Sequence, residues 1–162
     1  MNAQIRSQVA SAVQACEDKK GEEISILEMD KSSSAFTDYF VICSGKNPRQ
    51  IQAIADEVEL RLKREGTRAN QVEGYQQADW VLVDYVDVVV HVFSEASRKF
   101  YDLERLWKSA RKITLADLKK PAVRAKVPAK RRVAGSRTKA ASLRGAAAKK
   151  SGAPRTRRRK SS

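Results

Sequence analysis

The feature that most constrains the fold is a break in charge at Lys119. From Lys119 to Ser162 the chain carries 17 lysines and arginines and not one aspartate or glutamate. The same stretch has no aromatic residue and is built mainly from Pro, Ala, Ser, Gly, Lys and Arg. Such a segment buries too little apolar surface to offset backbone ordering, which costs about 1–2 kcal/mol per residue. Residues 119–162 are therefore expected to be a disordered basic tail, and the fold must come from residues 1–118 as one domain. Those residues hold the other 16 basic side chains against all 19 acidic ones, a net charge of −3, so the formal +14 of the whole chain belongs to the tail.

Within residues 1–118 the apolar spacing alternates between helix and strand periods. Ile5, Val9, Val13 and Cys16 recur at steps of four, four and three, one stripe of a helix over residues 3–17. Glu23 to Asp30 alternates like a strand. Asp38 to Ser44 is β-branched and aromatic without alternation, the pattern of a central strand covered on both faces. Gly45 then turns the chain, Asn47 is a good N-cap, and Pro48 sits where a first-turn proline loses no hydrogen bond. Ile51, Ile54, Ala55, Val58 and Leu62 mark the following helix, which ends before Gly66.

A short strand is expected over Ala69–Glu73, and Trp80–Asp84 with Asp87–Phe93 forms an antiparallel hairpin across Tyr85 and Val86. Ser94 or Ser97 can cap a last helix whose apolar face is Phe100, Leu103, Leu106, Trp107 and Ala110. The fold class is α/β (α+β): a mixed sheet of about five strands flanked by about three helices.

No set of residues for catalysis emerges. The loop Ser44–Arg49 has one glycine and matches no phosphate-binding fingerprint. Asp84 and Asp87 stand three apart across a turn, a spacing that does not by default put two carboxylates on one metal. His91 is the only histidine and lies between valines, where a structural role is commoner than catalysis. Cys16 and Cys43 are too few and too far apart in sequence for a metal or disulfide framework. No cofactor, metal or enzymatic activity is expected, and without a signal or spanning segment the chain is expected to be cytoplasmic.

Three ordered blocks between Ala35 and Trp107 carry a resemblance. The first is Thr37-Asp38-Tyr39-Phe40-Val41-Ile42 with Ser44-Gly45 and Arg49-Gln50. The second is Glu73-Gly74, then Trp80-Val81-Leu82-Val83-Asp84-Tyr85, Asp87 and Val90-His91-Val92-Phe93. The third is Arg98, Phe100-Tyr101, Leu103-Glu104 and Leu106-Trp107. In order and spacing they resemble the Iojap-related ribosomal silencing factors.

That resemblance implies a core distantly like a nucleotidyltransferase without its active site. It also implies binding to the large ribosomal subunit through ribosomal protein uL-fourteen, so that the small subunit is sterically excluded and translation falls when nutrients are scarce. Large-subunit biogenesis is an associated role. It carries the partner contact to Trp80, Asp84, Tyr85 and Asp87, with Glu73 and His91 behind them, and a basic protein neighbour suits the carboxylates. Tyr85, at the turn, is expected to be exposed, whereas Phe100, Tyr101, Leu106 and Trp107 are expected in the core. Arg98 is expected to pair with a carboxylate or to touch ribosomal RNA.

The family usually has glycine where this chain has Val86, so either the hairpin turns differently or Val86 takes negative φ. The tail, including Arg131, Arg132, Arg157, Arg158 and Arg159, lies outside the resemblance and is expected to hold ribosomal RNA by neutralising phosphate. A nucleic-acid binder acting through that tail is the rival reading. A hydrophobic sheet edge would pair two free copies as a homodimer.

Overall fold

The computed structural model describes residues 3–32 and 36–120. Among them the elements run α1 Ala3–Asp18, β1 Glu22–Glu28, β2 Tyr39–Gly45, α2 Pro48–Arg64, β3 Gln71–Glu73, β4 Trp80–Asp84, β5 Val88–Ser94, α3 Glu95–Tyr101, α4 Leu103–Leu106, β6 Arg111–Ile113 and α5 Leu115–Lys119. The strands form one mixed sheet in the order β3-β4-β5-β2-β1-β6. β2 and β5 pair in parallel, and the other described pairings are antiparallel. The mixed sheet flanked by helices is thus as expected, with one strand more.

The strand–turn–helix unit forms for the reasons its residues give. β2 lies between β5 and β1, and every one of its residues is buried. A Cβ on Gly45 would stand 2.7 Å from Cγ1 of Ile51, so only glycine lets α2 fold back this closely. Asn47 Oδ1 accepts from the Gln50 amide at 2.9 Å, and Pro48 opens the helix. Ile51, Ile54, Ala55, Val58 and Leu62 are then buried as one stripe against the sheet.

Strand alternation divides the core in two. Tyr39, Val41 and Cys43 of β2, Val81 and Val83 of β4 and Val88, Val90 and Val92 of β5 face α1 and α2. Phe40, Ile42 and Phe93, with Leu27 and Met29, pack on the opposite face with Leu103. Cys16 and Cys43, distant in sequence, are neighbours in space. The Cys43 thiol approaches Cys16 Sγ at 3.6 Å with both residues buried, and this hydrogen bond together with burial pushes the Cys16 thiol well above its ordinary pKa.

The segment after β5 departs from expectation. Ser94 caps α3, its Oγ accepting from the Ser97 amide at 3.2 Å, but no single helix runs on to Ala110. Asp102 takes a left-handed conformation, φ 43°, and separates α3 from α4. The break turns Leu103 into the core and leaves Phe100 81% and Leu106 70% exposed. Trp107 packs edge-on to Phe40 at 5.8 Å, and the chain continues into β6, which pairs with β1. α5 is closed by a reciprocal Thr114–Asp117 capping box, and Arg6 of α1 donates to the carbonyls of Asp117 and Lys120. No helix among the described residues is long and apolar enough to cross a membrane.

Val86 keeps a positive φ of 72° despite its β-branch, so the negative-φ alternative does not hold. The hairpin closes as a γ-turn, in which the Asp87 amide donates to the Tyr85 carbonyl at 2.9 Å. The Asp84 carboxylate steadies it by accepting from the Val86 amide at 2.7 Å.

Candidate functional site

The two faces of the sheet are covered unequally. α1 and α2 close one face across β1, β2, β5 and β4. On the other, Leu103 and Trp107 cover Phe40 and Ile42, but towards β4 the cover thins and Trp80, Leu82 and Val89 are only half-buried. These three, with Tyr101 over Trp80 and Phe100 edge-on to Tyr101, make an apolar strip open to solvent, and Leu106 of α4 is exposed as well. Large exposed apolar side chains in one place mark a docking surface more often than chance.

Trp80 is the anchor of the strip and is held from behind. Its indole N–H donates to His91 Nδ1 at 3.1 Å, its ring stacks on Phe93 at 5.0 Å, and Tyr101 lies over it at 4.6 Å. Because Nδ1 accepts, the His91 proton sits on Nε2, which is buried without a partner among the described residues. Burial among Phe40, Trp80 and Phe93 lowers the His91 pKa to about 4, so the ring is neutral. With its only polar atom used inside, Trp80 can offer a partner only an apolar ring face. Gly74 supports it from the β3 side, since at φ 74° a Cβ there would come within 2.1 Å of the Trp80 carbonyl oxygen.

Carboxylates border the strip. Glu73, Asp79 and Asp87 are exposed and Asp84 is half-buried. Asp79 accepts from the Ser94 hydroxyl at 2.7 Å at the Trp80 end. Asp84 and Asp87 lie at the hairpin tip, about 13 Å away along a five-residue strand. The residues grouped by sequence therefore occupy both ends of β4 and are not one cluster.

Two of them are not surface residues at all. Tyr85 is 6% exposed: strand parity puts it on the face of Val81 and Val83, and its hydroxyl finds no partner there. Burial and the Glu59 carboxylate push its phenol pKa up. His91, 4% exposed, supports Trp80 from inside. The residues exposed at the turn are Val86, at 56%, and Asp87. In exchange the structure brings Phe100, Tyr101 and Leu106 to the surface, although their helical spacing suggested core. The available signal was Asp102, one of the few non-glycine residue types that tolerate the left-handed conformation.

Arg98 meets the first of its two expectations, donating to the Ser44 hydroxyl at 3.0 Å and to Glu104 at 2.6 Å, which ties α3 and α4 to the end of β2. A polar cleft of about 580 Å³ beside it sets Arg98, Lys99 and Lys112 against Glu23, Asp102 and Glu104, a balance that favours no charged ligand. Among the described residues no three His, Cys, Asp or Glu side chains gather as a metal site. Among the described residues both sheet edges, β3 and β6, are three-residue strands that carry charged side chains. Arg131, Arg132, Arg157, Arg158 and Arg159 lie outside the described residues.

Comparison with known proteins shows which family the chain resembles. Residues 2–142 match the family model described as ribosomal silencing factor during starvation. The chain is 44% identical over 118 residues to the ribosomal silencing factor RsfS of Bacillus subtilis (strain 168), covering 73% of this chain and 95% of that one. Over 75 residues it is 35% identical to a mouse protein named mitochondrial assembly of ribosomal large subunit protein 1, covering 44% of this chain and 33% of the mouse one. A crystal structure of a protein from Chromobacterium violaceum superposes with a TM-score of 0.61 at 35% identity, over 76% of this chain and 98% of that one.

Proposed function

The chain belongs to the family of ribosomal silencing factors, and on that premise we propose that its open sheet face docks on the large ribosomal subunit. The contact is to ribosomal protein uL-fourteen, and the bound domain excludes the small subunit by its bulk, which lowers translation. The observation that carries this reading is the apolar strip of Trp80, Leu82, Val89 and Tyr101 with its border of Glu73, Asp79, Asp84 and Asp87. An apolar anchor ringed by carboxylates fits a basic protein surface, since the rings supply affinity and the charges supply approach and orientation.

Tyr85 and His91 act from beneath, keeping the hairpin and the Trp80 ring in place. The domain comprises residues 1–118. The tail after it, with Arg131, Arg132, Arg157, Arg158 and Arg159, tethers the protein to ribosomal RNA by phosphate neutralisation and adds affinity without selectivity. The protein works in the cytoplasm. The mouse relative's name supports a second reading, a part in large-subunit assembly through the same surface.

Mixing purified subunits with the full chain tests the reading. Wild type keeps the subunits apart on a sucrose gradient, and a Trp80→Ala, Asp87→Lys double variant of equal melting temperature lets them join. A double variant as potent as wild type would remove the site. A chain ending at Lys120, which keeps α5 whole, retains binding at lower affinity; complete loss would give the function to the tail.

A further inference from the structure

Charge is segregated inside the folded part as well as between it and the tail. Residues 1–97 hold ten basic and 16 acidic side chains, a net of −6, whereas residues 98–112 hold six basic and two acidic, a net of +4. In that cationic stretch Arg105, Lys108 and Lys112 are exposed and enter none of the ion pairs among the described residues. Interleaved with them are Phe100 and Leu106, the most exposed large apolar residues of α3 and α4, and Tyr101, whose ring meets Phe100 edge-on at 5.0 Å. Their exposure follows from the left-handed Asp102, a conformation that costs about 1–2 kcal/mol relative to helix in most residue types. The chain thus departs from the easier continuous helix, and the departure presents an aromatic ring among unpaired cations.

We propose that this shoulder of α3, α4 and the segment leading to β6 is an RNA-binding surface, with Phe100 stacking on an unpaired base while Arg105 and Lys108 neutralise the adjoining phosphates. Every base offers a π-face to an exposed ring, and phosphates would neutralise Arg105 and Lys108, which enter none of the ion pairs among the described residues. A basic protein suits the Asp84 and Asp87 end of β4 and is repelled here, so the two ends of the open face serve partners of opposite charge. The inference rests on the large-subunit reading, under which ribosomal RNA is the polyanion within reach.

The test uses the full chain, so that the tail is constant throughout. With Phe100 replaced by p-benzoylphenylalanine and the protein bound to purified large subunits, irradiation is expected to attach it to ribosomal RNA. Attachment to a ribosomal protein instead would overturn the inference in favour of an acidic protein partner. In parallel, an Arg105→Glu, Lys108→Glu variant that melts like wild type is expected to bind large subunits about ten-fold more weakly. Its plot of log affinity against log salt should be shallower by about 1.4, two single-strand phosphate contacts. Unchanged affinity and slope would also overturn the inference while leaving docking intact. Failure of wild type to sediment with large subunits would overturn the docking reading, and the inference with it.

Discussion

The two faces of one sheet have been put to different uses. On the closed face, side chains from β2, β4 and β5 meet two long helices, and Ile51, Ile54, Val58 and Leu62 are wholly buried. On the open face, two short helices separated by a left-handed aspartate cover only the β1–β2 half and leave a strip of rings beside β4. Residues of the same chemical type, aromatic and aliphatic, contribute stability on the first face and remain available to a partner on the second. Apolar composition alone therefore does not separate core from contact; the length and continuity of the covering helix does.

Substitutions that set one face against the other test this difference. The largest effect belongs to the closed face, where Ile54→Ala should cost about 3–4 kcal/mol in a denaturant titration and leave the docking affinity of the folded fraction unchanged. A smaller loss would mean that α2 is loosely packed.

His91, at the back of the open face, ties stability to pH. Its folded pKa of about 4 lies below the ordinary 6.5, so the unfolded chain takes up the proton first as pH falls. Its contribution is complete above about pH 6.5 and disappears between 6.5 and 4, a swing on the order of 3 kcal/mol. A His91→Gln variant should lose that part of the acid-unfolding slope, and an unaltered slope would show that His91 is not buried neutral.

The hairpin tip offers gains in place of losses. Tyr85→Phe removes a buried hydroxyl without a partner and should raise stability by about 1 kcal/mol. Val86→Gly relieves a β-branched residue at φ 72° and should add a similar amount. A drop in melting temperature for either would show that the tip is satisfied as it stands. The smallest effect on stability is Phe100→Ala, within about 0.5 kcal/mol because the ring is already in water. The same change should weaken large-subunit binding measurably.

Much of this arrangement could be read from local pattern. The Gly45–Asn47–Pro48 turn, the α2 stripe and the pairing of β4 with β5 each depend on residues within about 15 positions of one another, and each formed as expected. Tyr85 was also legible, since counting alternate residues from Val81 puts it on the closed face. What escaped was set by contacts distant in sequence. β6 exists because β1 has a free edge, where Arg111 meets Glu28 across 83 positions at 2.8 Å, and Trp107 leaves the helical period to reach Phe40. Periodicity through Phe100, Leu103 and Leu106 predicts one helix because it cannot register a single left-handed residue. The same blind spot hid the exposed ring and the cationic shoulder around it.

Hydroxyl-radical footprinting of the full chain, free and bound to purified large subunits, compares the two faces in one experiment. The expected result is protection of Trp80, Tyr101 and Phe100 on binding, with Ile5 at the rim of α1 and Tyr75 beside α2 oxidised equally in both states. Protection confined to α1 and α2, with Trp80 and Tyr101 still open to attack, would mean that the covered face meets the ribosome and that the exposed rings have some other purpose.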